Sequence, residues 1–340
     1  MNNDMLYQIH NKLLNCMNNL SKQMRKIIIF IFLFFASATI DLRAQCAREQ
    51  MVLDYNTNYL GSKVTVEELG WTGNVATCNA GKISRLAQTR TLQRINYFRH
   101  LAGLPNAIAL DSVKNRHCQE AALMMDANND IDHSPPTSWS CYSVDGAKAA
   151  RSSNLAYGPH SSSAITLFMD DEGSPNLGHR RWILQQSKSI FGHGATPTIS
   201  VLYVFDDSGT SPNLPFTAYP CPGFFPAPLA SVKTWSFSIP SADFSLATVS
   251  MTSSNGELIP VTSQITNNGY GDNTIAFEPI GIIVSSIYDE TYTVTINNVK
   301  LSTGTVEKYT YKVTIAQLTY PPACPKGKVW VEKKCECVTQ

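Results

Sequence analysis

The sequence predicts an α+β chain, a helical region that runs into a strand, followed by an all-β sandwich. Three observations point there. Apolar residues recur at helical spacing between about Arg90 and Asp130. From Trp235 onward the text breaks into short alternating stretches. A Pro-, Gly- and Ser-rich segment separates the two styles. The 340 residues suffice for two ordinary domains. With 43% hydrophobic and 16% charged residues, the chain has a core and is not globally disordered. A net charge of +1 gives no electrostatic case for nucleic acid or an anionic membrane as partner.

The N-terminus reads as a targeting segment. Arg25 and Lys26 precede the uncharged run Ile27 to Ile40, which is shorter than the ~20 residues a spanning helix needs and suits a signal-peptide apolar region. Leu42 and Ala44 stand at the −3 and −1 positions, so cleavage is expected after Ala44, with translation starting at Met1 or Met24. No transmembrane span is then expected in the mature chain. A lipidated Cys46 ranks lower, because Arg43 and Gln45 stand where small or apolar residues belong. The predicted location is secreted, in the extracellular space. Export suits the cysteines. Cys16 leaves with the leader, and Cys46, Cys78, Cys118, Cys141, Cys221, Cys324, Cys335 and Cys337 form an even set that reads as disulfides. The C-x-C at the end has the wrong spacing for a thiolate zinc ribbon.

Taken in order, residues 1–44 are the leader and 45–85 a turn-rich N-terminal extension. The helical domain covers 86–210, a linker 211–232, the β-sandwich 233–320 and a cysteine-containing tail 321–340. In the helical domain, Leu92, Ile95, Phe98 and Leu101 or Leu104 make an amphipathic stripe closed by Gly103 and Pro105. A second helix starts at an Asp111 or Ser112 cap and places Val113, His117, Ala121 and Met124 on one face. "HSPP" breaks it. A third covers "SSAITLFMDD", with Ser161 to Ser163 offering caps, and "GHRRWILQQ" is a short helix or turn. Ile199, Val201, Tyr203 and Phe205 then alternate with Ser200, Leu202 and Val204, a strand. Beyond the linker, "TWSFSI", "ATVSMTS", "ELIPVTSQI", "TIAFEP", "TYTVTINNV" and "EKYTYKVTIAQL" read as strands, with a hairpin turn at Asn255-Gly256. Such spacing predicts an immunoglobulin-like sandwich.

Two histidines stand out, His133 in "DIDHSPP" and His179 in "GHRRWIL". Asp170, Asp171 and Glu172 end the third helix, where the dipole disfavours carboxylates. They read either as a solvated turn or as part of a His/carboxylate site for a divalent cation. No G-x-S-x-G elbow and no H-E-x-x-H occur. His160 beside Ser161 reads as a helix cap, Met124 and Met125 as core, His117 as packed on the sheet, and His193 as a turn residue between glycines.

The segment from about Cys78 to Asp206 resembles a CAP domain, the superfamily of cysteine-rich secretory proteins, venom antigen 5 and plant pathogenesis-related proteins. "INYFRHLAGLP", the helix leading to His133, "SSNLAYG", "FMDDEGSPNLGHRRWIL" and "FGHG" before a strand match its motifs in order. The resemblance implies a CAP-type α-β-α sandwich whose cleft gathers two histidines and two acids. Carried over, these are His133, His179 and Asp171, with Asp170 as the alternative acid. Ser153 stands where the family has its first acid. A divalent cation, zinc or calcium, would therefore be held weakly by His133, His179 and Asp171. Disulfides Cys118–Cys141 and Cys46–Cys78 are expected. The function expected is a secreted, non-catalytic module binding a lipid, peptide, glycan or protein at a cell surface. A His-dependent, peptidase-like hydrolase and an adhesin-like surface protein are the alternatives.

Overall fold

The computed structural model describes residues 47–105, 108–205, 209–266, 268–285, 287–319, 322–331, 334 and 336–339. The expected leader and cleavage site, together with Cys46 and Cys335, lie outside the described residues. Met51–Trp330 belongs to one compact unit.

The helical part follows α1 (Ala47–Asp54) and the single turn α2 (Val66–Leu69). Helix α3 (Arg85–Leu101) starts where the Ser84 hydroxyl accepts the Ala87 N–H, about two turns before Leu92, the first residue of the apolar stripe. After β1 (Ala109–Leu110), Asp111 caps α4 (Ser112–Asn128) by accepting the N–H groups of Val113 and Lys114. Helix α5 (Val144–Arg151), which periodicity does not reveal, starts at a Ser143 cap and leads into β2 (Ser153–Tyr157). Helices α6 (Ser161–Asp170) and α7 (Gly178–Leu184), then β3 (Ile190–Ala195) and β4 (Ile199–Tyr203), complete it.

The sheet order is β1-β3-β4-β2, with β1 parallel to β3 and the other pairs antiparallel. On one face, α4 and α5 pack Cys118, Ala121, Ala122, Met125, Ala149 and Ala150 against Leu155, Ile199 and Val201. On the other, α3, α6 and α7 pack Ile95, Phe98, Ile165, Phe168 and Ile183 with Ala156, Phe191 and Leu202. The architecture is thus helices over both faces of a small sheet. It explains why β4 is buried at Ser200 and Leu202 as well as at Ile199 and Val201, because neither face of the sheet meets water. Gly192 and Gly194 allow the helix layer to close down on β3. A Cβ on either would collide with Lys114 or Gln119 of α4.

Several expectations change. His193 is not in a turn. It sits in β3, 1% exposed, with Nε2 3.1 Å from Ser200 Oγ. His117 pairs with Asp145 of α5 at 3.5 Å rather than with the sheet, and Val113 is exposed. The expected serine cap of α6 is absent. Its N-cap is His160 without a side-chain bond, and the Ser161 and Ser162 hydroxyls are buried without a partner. Among the described residues the disulfides are Cys78–Cys141 and Cys324–Cys337. The expected Cys118–Cys141 and Cys46–Cys78 pairs therefore do not form. Cys118 points from α4 into the helix–sheet core, where burial pushes its thiol up to about 12.

The all-β part has two sheets, β10-β11-β7-β5 and β6-β13-β12-β8-β9. The strands are β5 (Thr217–Tyr219), β6 (Gly223–Pro226), β7 (Trp235–Ser238), β8 (Thr248–Ser253), β9 (Leu258–Ile259), β10 (Val261–Ile265), β11 (Thr274–Pro279), β12 (Glu290–Lys300) and β13 (Val306–Ala316). Alternate residues Tyr292, Val294 and Ile296 of β12 turn inward, as a strand with one covered face requires. Pro260 divides one expected strand into β9 and β10, since it cannot donate to a ladder. In the tail, β14 (Lys328–Val331) pairs with β15 (Glu336–Thr339) beside the Cys324–Cys337 bridge.

Within the segment read as a linker, β5 and β6 are strands of the two sheets. Tyr219 of β5 meets Phe98 of α3 edge to face at 6.2 Å and Phe225 of β6 at 5.2 Å. All three belong to the same core cluster as Phe237 and Val313 of the sandwich. The helical layer and the sandwich therefore share a continuous core.

Candidate functional site

The site is built where α6 hands over to α7. Asp171, just past the end of α6, is left-handed with φ 48°, a conformation that aspartate tolerates better than most residues. Leu177, also left-handed and 1% exposed, anchors the other end of the turn. The turn brings Asp171 under the first turn of α7. Its Oδ1 accepts from His179 Nδ1 at 2.8 Å, and its Oδ2 accepts the Arg180 N–H at 3.2 Å. A carboxylate unfavourable at the end of α6 thus serves the start of α7, where the dipole favours it. Phe168 packs on the His179 ring with centroids 5.3 Å apart. Asn154 of β2 donates to the His179 carbonyl at 3.0 Å.

His133 comes from the loop after α4. Its Nδ1 lies 2.9 Å from the Ala150 carbonyl at the end of α5. A carbonyl can only accept, so His133 Nδ1 carries the proton, and by the same logic His179 Nδ1 donates to Asp171. In the neutral form of either ring, Nε2 then holds the lone pair. His133 and His179 line one cavity of about 290 Å³, together with Arg151, Ser153, Asn154, Ser174, Asn176 and Gly178. Trp182, Phe205 and Tyr270 supply its aromatic surface. His133, His179 and Ser153 are thus brought together. Asp171 stands behind His179, its side chain 1% exposed, and does not reach the wall. Asp170, the alternative acid, faces a different small cavity with Glu172 and Lys233, and burial pushes its carboxyl up to about 6.

Residues 92–200 match the family model described as CAP: Cysteine-rich secretory protein family. This segment is a CAP domain. No curated protein and no solved structure matches the chain.

The CAP domain carries both histidines, yet it does not offer the expected cation three ligands. Asp171 has both oxygens committed and is buried behind His179. Ser153 stands in place of an acid. Among the described residues no group of three or more His, Cys, Asp or Glu side chains is placed to hold a metal ion. The donor set is two imidazoles, which does not fit a three-ligand site for zinc and supplies none of the carboxylate oxygens that calcium favours.

Arg180 and Arg181 behave as anchors. Arg180, fully buried, donates to the carbonyls of Met169 at 2.6 Å, Asp170 at 2.8 Å and Thr234 at 2.8 Å. Arg181 donates to the carbonyls of Asn176 and Asp272, both at 3.1 Å. Trp182 packs against the core cluster and also lies half-buried along the cavity, with its ring 4.7 Å from Phe205.

Tyr270 is the residue that sequence reasoning missed altogether. It lies in the β10–β11 turn, far outside the CAP domain, and reaches the cavity because that turn is fastened to α7. A Cβ on Gly178 would stand 3.0 Å from Tyr270 Cδ1, and one on Gly271 would stand 2.7 Å from the Arg181 carbonyl oxygen. Asp272 Oδ2 accepts the Gln186 N–H at 2.9 Å, and the Arg181 guanidinium lies 5.9 Å from the Tyr270 ring. The one sequence signal was an aromatic residue between two glycines in a polar turn, "NNGYGDN", where it has no strand face to fill.

Proposed function

We propose that the protein is a secreted, non-catalytic binding module whose cleft takes a small extracellular ligand, drawn from the lipids, peptides and surface molecules of its surroundings. The observation that carries this is the cavity of about 290 Å³ with both histidines, their Nδ1 atoms tied to Ala150 and Asp171, and three aromatic rings around them. Concave sites that combine apolar surface with a few convergent polar groups are the usual form of small-molecule sites. Export accords with the disulfides Cys78–Cys141 and Cys324–Cys337, and no helix among the described residues is long and apolar enough to cross a membrane. Zinc, held by two imidazoles alone, would bind weakly. Native mass spectrometry of protein recovered from its own secretion medium tests the reading. A bound small molecule, lost from His179→Ala, is the expected result. An empty cleft under all conditions rules against it.

A hydrolytic reading draws on the His179–Asp171 pair, which is the arrangement of an oriented general base. Among the described residues no serine, threonine or cysteine is hydrogen-bonded to His133 or His179. Turnover of a peptide or ester that His179→Ala abolishes would favour this second reading.

A further inference from the structure

We infer that the cleft takes a saccharide ring, stacked on an aromatic wall that the β-sandwich completes through Tyr270. The inference rests on the cleft being a ligand site. It adds the ligand class and a role for the second lobe.

The lining has two kinds of surface. One is aromatic. Tyr270 is 41% and Phe205 49% exposed, and Trp182 stands beside Phe205 with its ring half open. Exposed rings gathered at one cavity offer faces for a flat, C–H-bearing surface. The other surface carries amides, hydroxyls and imidazoles, at Asn154, Asn176, Ser153, Ser174, His133 and His179. Amides and hydroxyls both donate and accept, and the imidazole Nε2 atoms accept. A sugar ring matches both, with apolar faces and a rim of hydroxyls that also donate and accept. An acyl chain would bury these polar groups without partners, which is unfavourable. The cavity of about 290 Å³ lies at the lower end of small-molecule sites, roughly 300–1,000 Å³, which suits one or two rings rather than a protein segment.

Tyr270 is a built part of this wall. Gly178 and Gly271 allow its turn to lie against α7, and Arg181 and Gln186 hold Asp272, two residues after Tyr270. The family-model match ends at residue 200 and β4 carries the same layer on to Phe205, whose N–H donates to the Ser152 carbonyl, so without the sandwich the CAP layer presents Trp182 and Phe205 but not Tyr270.

The test uses the full-length chain on a printed array of plant, animal and microbial glycans. Binding to a related subset is expected, with affinity falling about tenfold or more in Tyr270→Ala and Trp182→Ala and retained in Tyr270→Phe. Melting temperatures of the variants confirm folding. A blank array overturns the saccharide, and so does binding that Tyr270→Ala and Trp182→Ala leave unchanged. A parallel titration with the fluorescent fatty acid cis-parinarate separates the two failures. Parinarate bound by the wild type and not by His179→Ala, with a blank array, ends the saccharide inference and leaves the cleft reading standing. No binding of either probe ends both.

Discussion

His179 and Asp171 are joined by a 2.8 Å hydrogen bond in which the carboxylate is almost wholly buried and the imidazole about one-third exposed. The carboxylate fixes which nitrogen of the ring carries the proton and leaves the other for the cleft. Asp171 is in this sense a positioning residue. Asp171→Asn keeps a side chain that tolerates the left-handed backbone, yet loses the charge and one acceptor. It should cost about 1–3 kcal/mol in chemical denaturation. In nitrogen NMR spectra, His179 should be a single Nδ1–H tautomer in the wild type and a mixture in the variant. An unchanged tautomer would show that Asp171 does not set the ring.

Gly178 and Tyr270 should be energetically coupled. A methyl group at position 178 meets the Tyr270 ring at 3.0 Å, so one of the two must yield. Gly178→Ala is expected to lower stability by about 1–3 kcal/mol as an overpacked contact. Much of that loss should vanish when Tyr270→Ala is already present. A double-mutant cycle on denaturation midpoints measures the coupling, and strict additivity would place the strain elsewhere.

The Cys78–Cys141 bridge closes a separation of 63 residues. In the chain-entropy account such a bridge contributes about 4 kcal/mol. Cys78→Ser and Cys141→Ser should each lose a similar amount, and the double variant no more than either alone. Peptide mapping without reductant should find this pair, with Cys118 and Cys221 unpaired.

Burial first, and the nearby His160 second, hold His193 down at a pKa of about 3. The ring is neutral in the folded protein, whereas an unfolded histidine takes its proton near pH 6.5. Below that point the unfolded state binds the extra proton. The contribution of His193 is therefore full above pH 6.5 and is lost as pH falls towards 3, by up to about 1.4 kcal/mol per pH unit. Asp170, raised to about 6 by burial, acts in the opposite sense, losing stability as pH rises from its ordinary value near 4 through 6. The difference between wild type and His193→Gln isolates the histidine. It should shrink steadily between pH 6.5 and 4, and a flat difference would contradict the assignment.

Arg180 spans both lobes, from Met169 and Asp170 to Thr234. Arg180→Met would take the guanidinium donors from one buried and two half-buried carbonyls, so a loss of about 3 kcal/mol or more is expected. Arg180→Lys should recover little, since one ammonium cannot reproduce the planar fork. Thermal unfolding checks both.

What the sequence determined by itself was local and periodic. The stripe Ile95–Phe98, the Asp111 cap of α4 and the alternation of β12 each rest on neighbours three, four or two positions apart, so they are legible without the fold. The order of motifs around His133 and His179 was equally legible and identified the CAP domain. Only the tertiary structure decided the pairings that cross the chain. Cys78 rather than Cys118 meets Cys141, because α4 turns Cys118 into the core. Asp171 serves the imidazole rather than the cleft, because the backbone reverses between α6 and α7. Segment 211–232 contributes two strands, because Tyr219 has Phe98 to pack against. Tyr270 reaches the cleft from 91 residues beyond His179, because two glycines let one turn of the sandwich lie against α7. No periodicity encodes such meetings. They are set by which surfaces the folded layers leave facing one another.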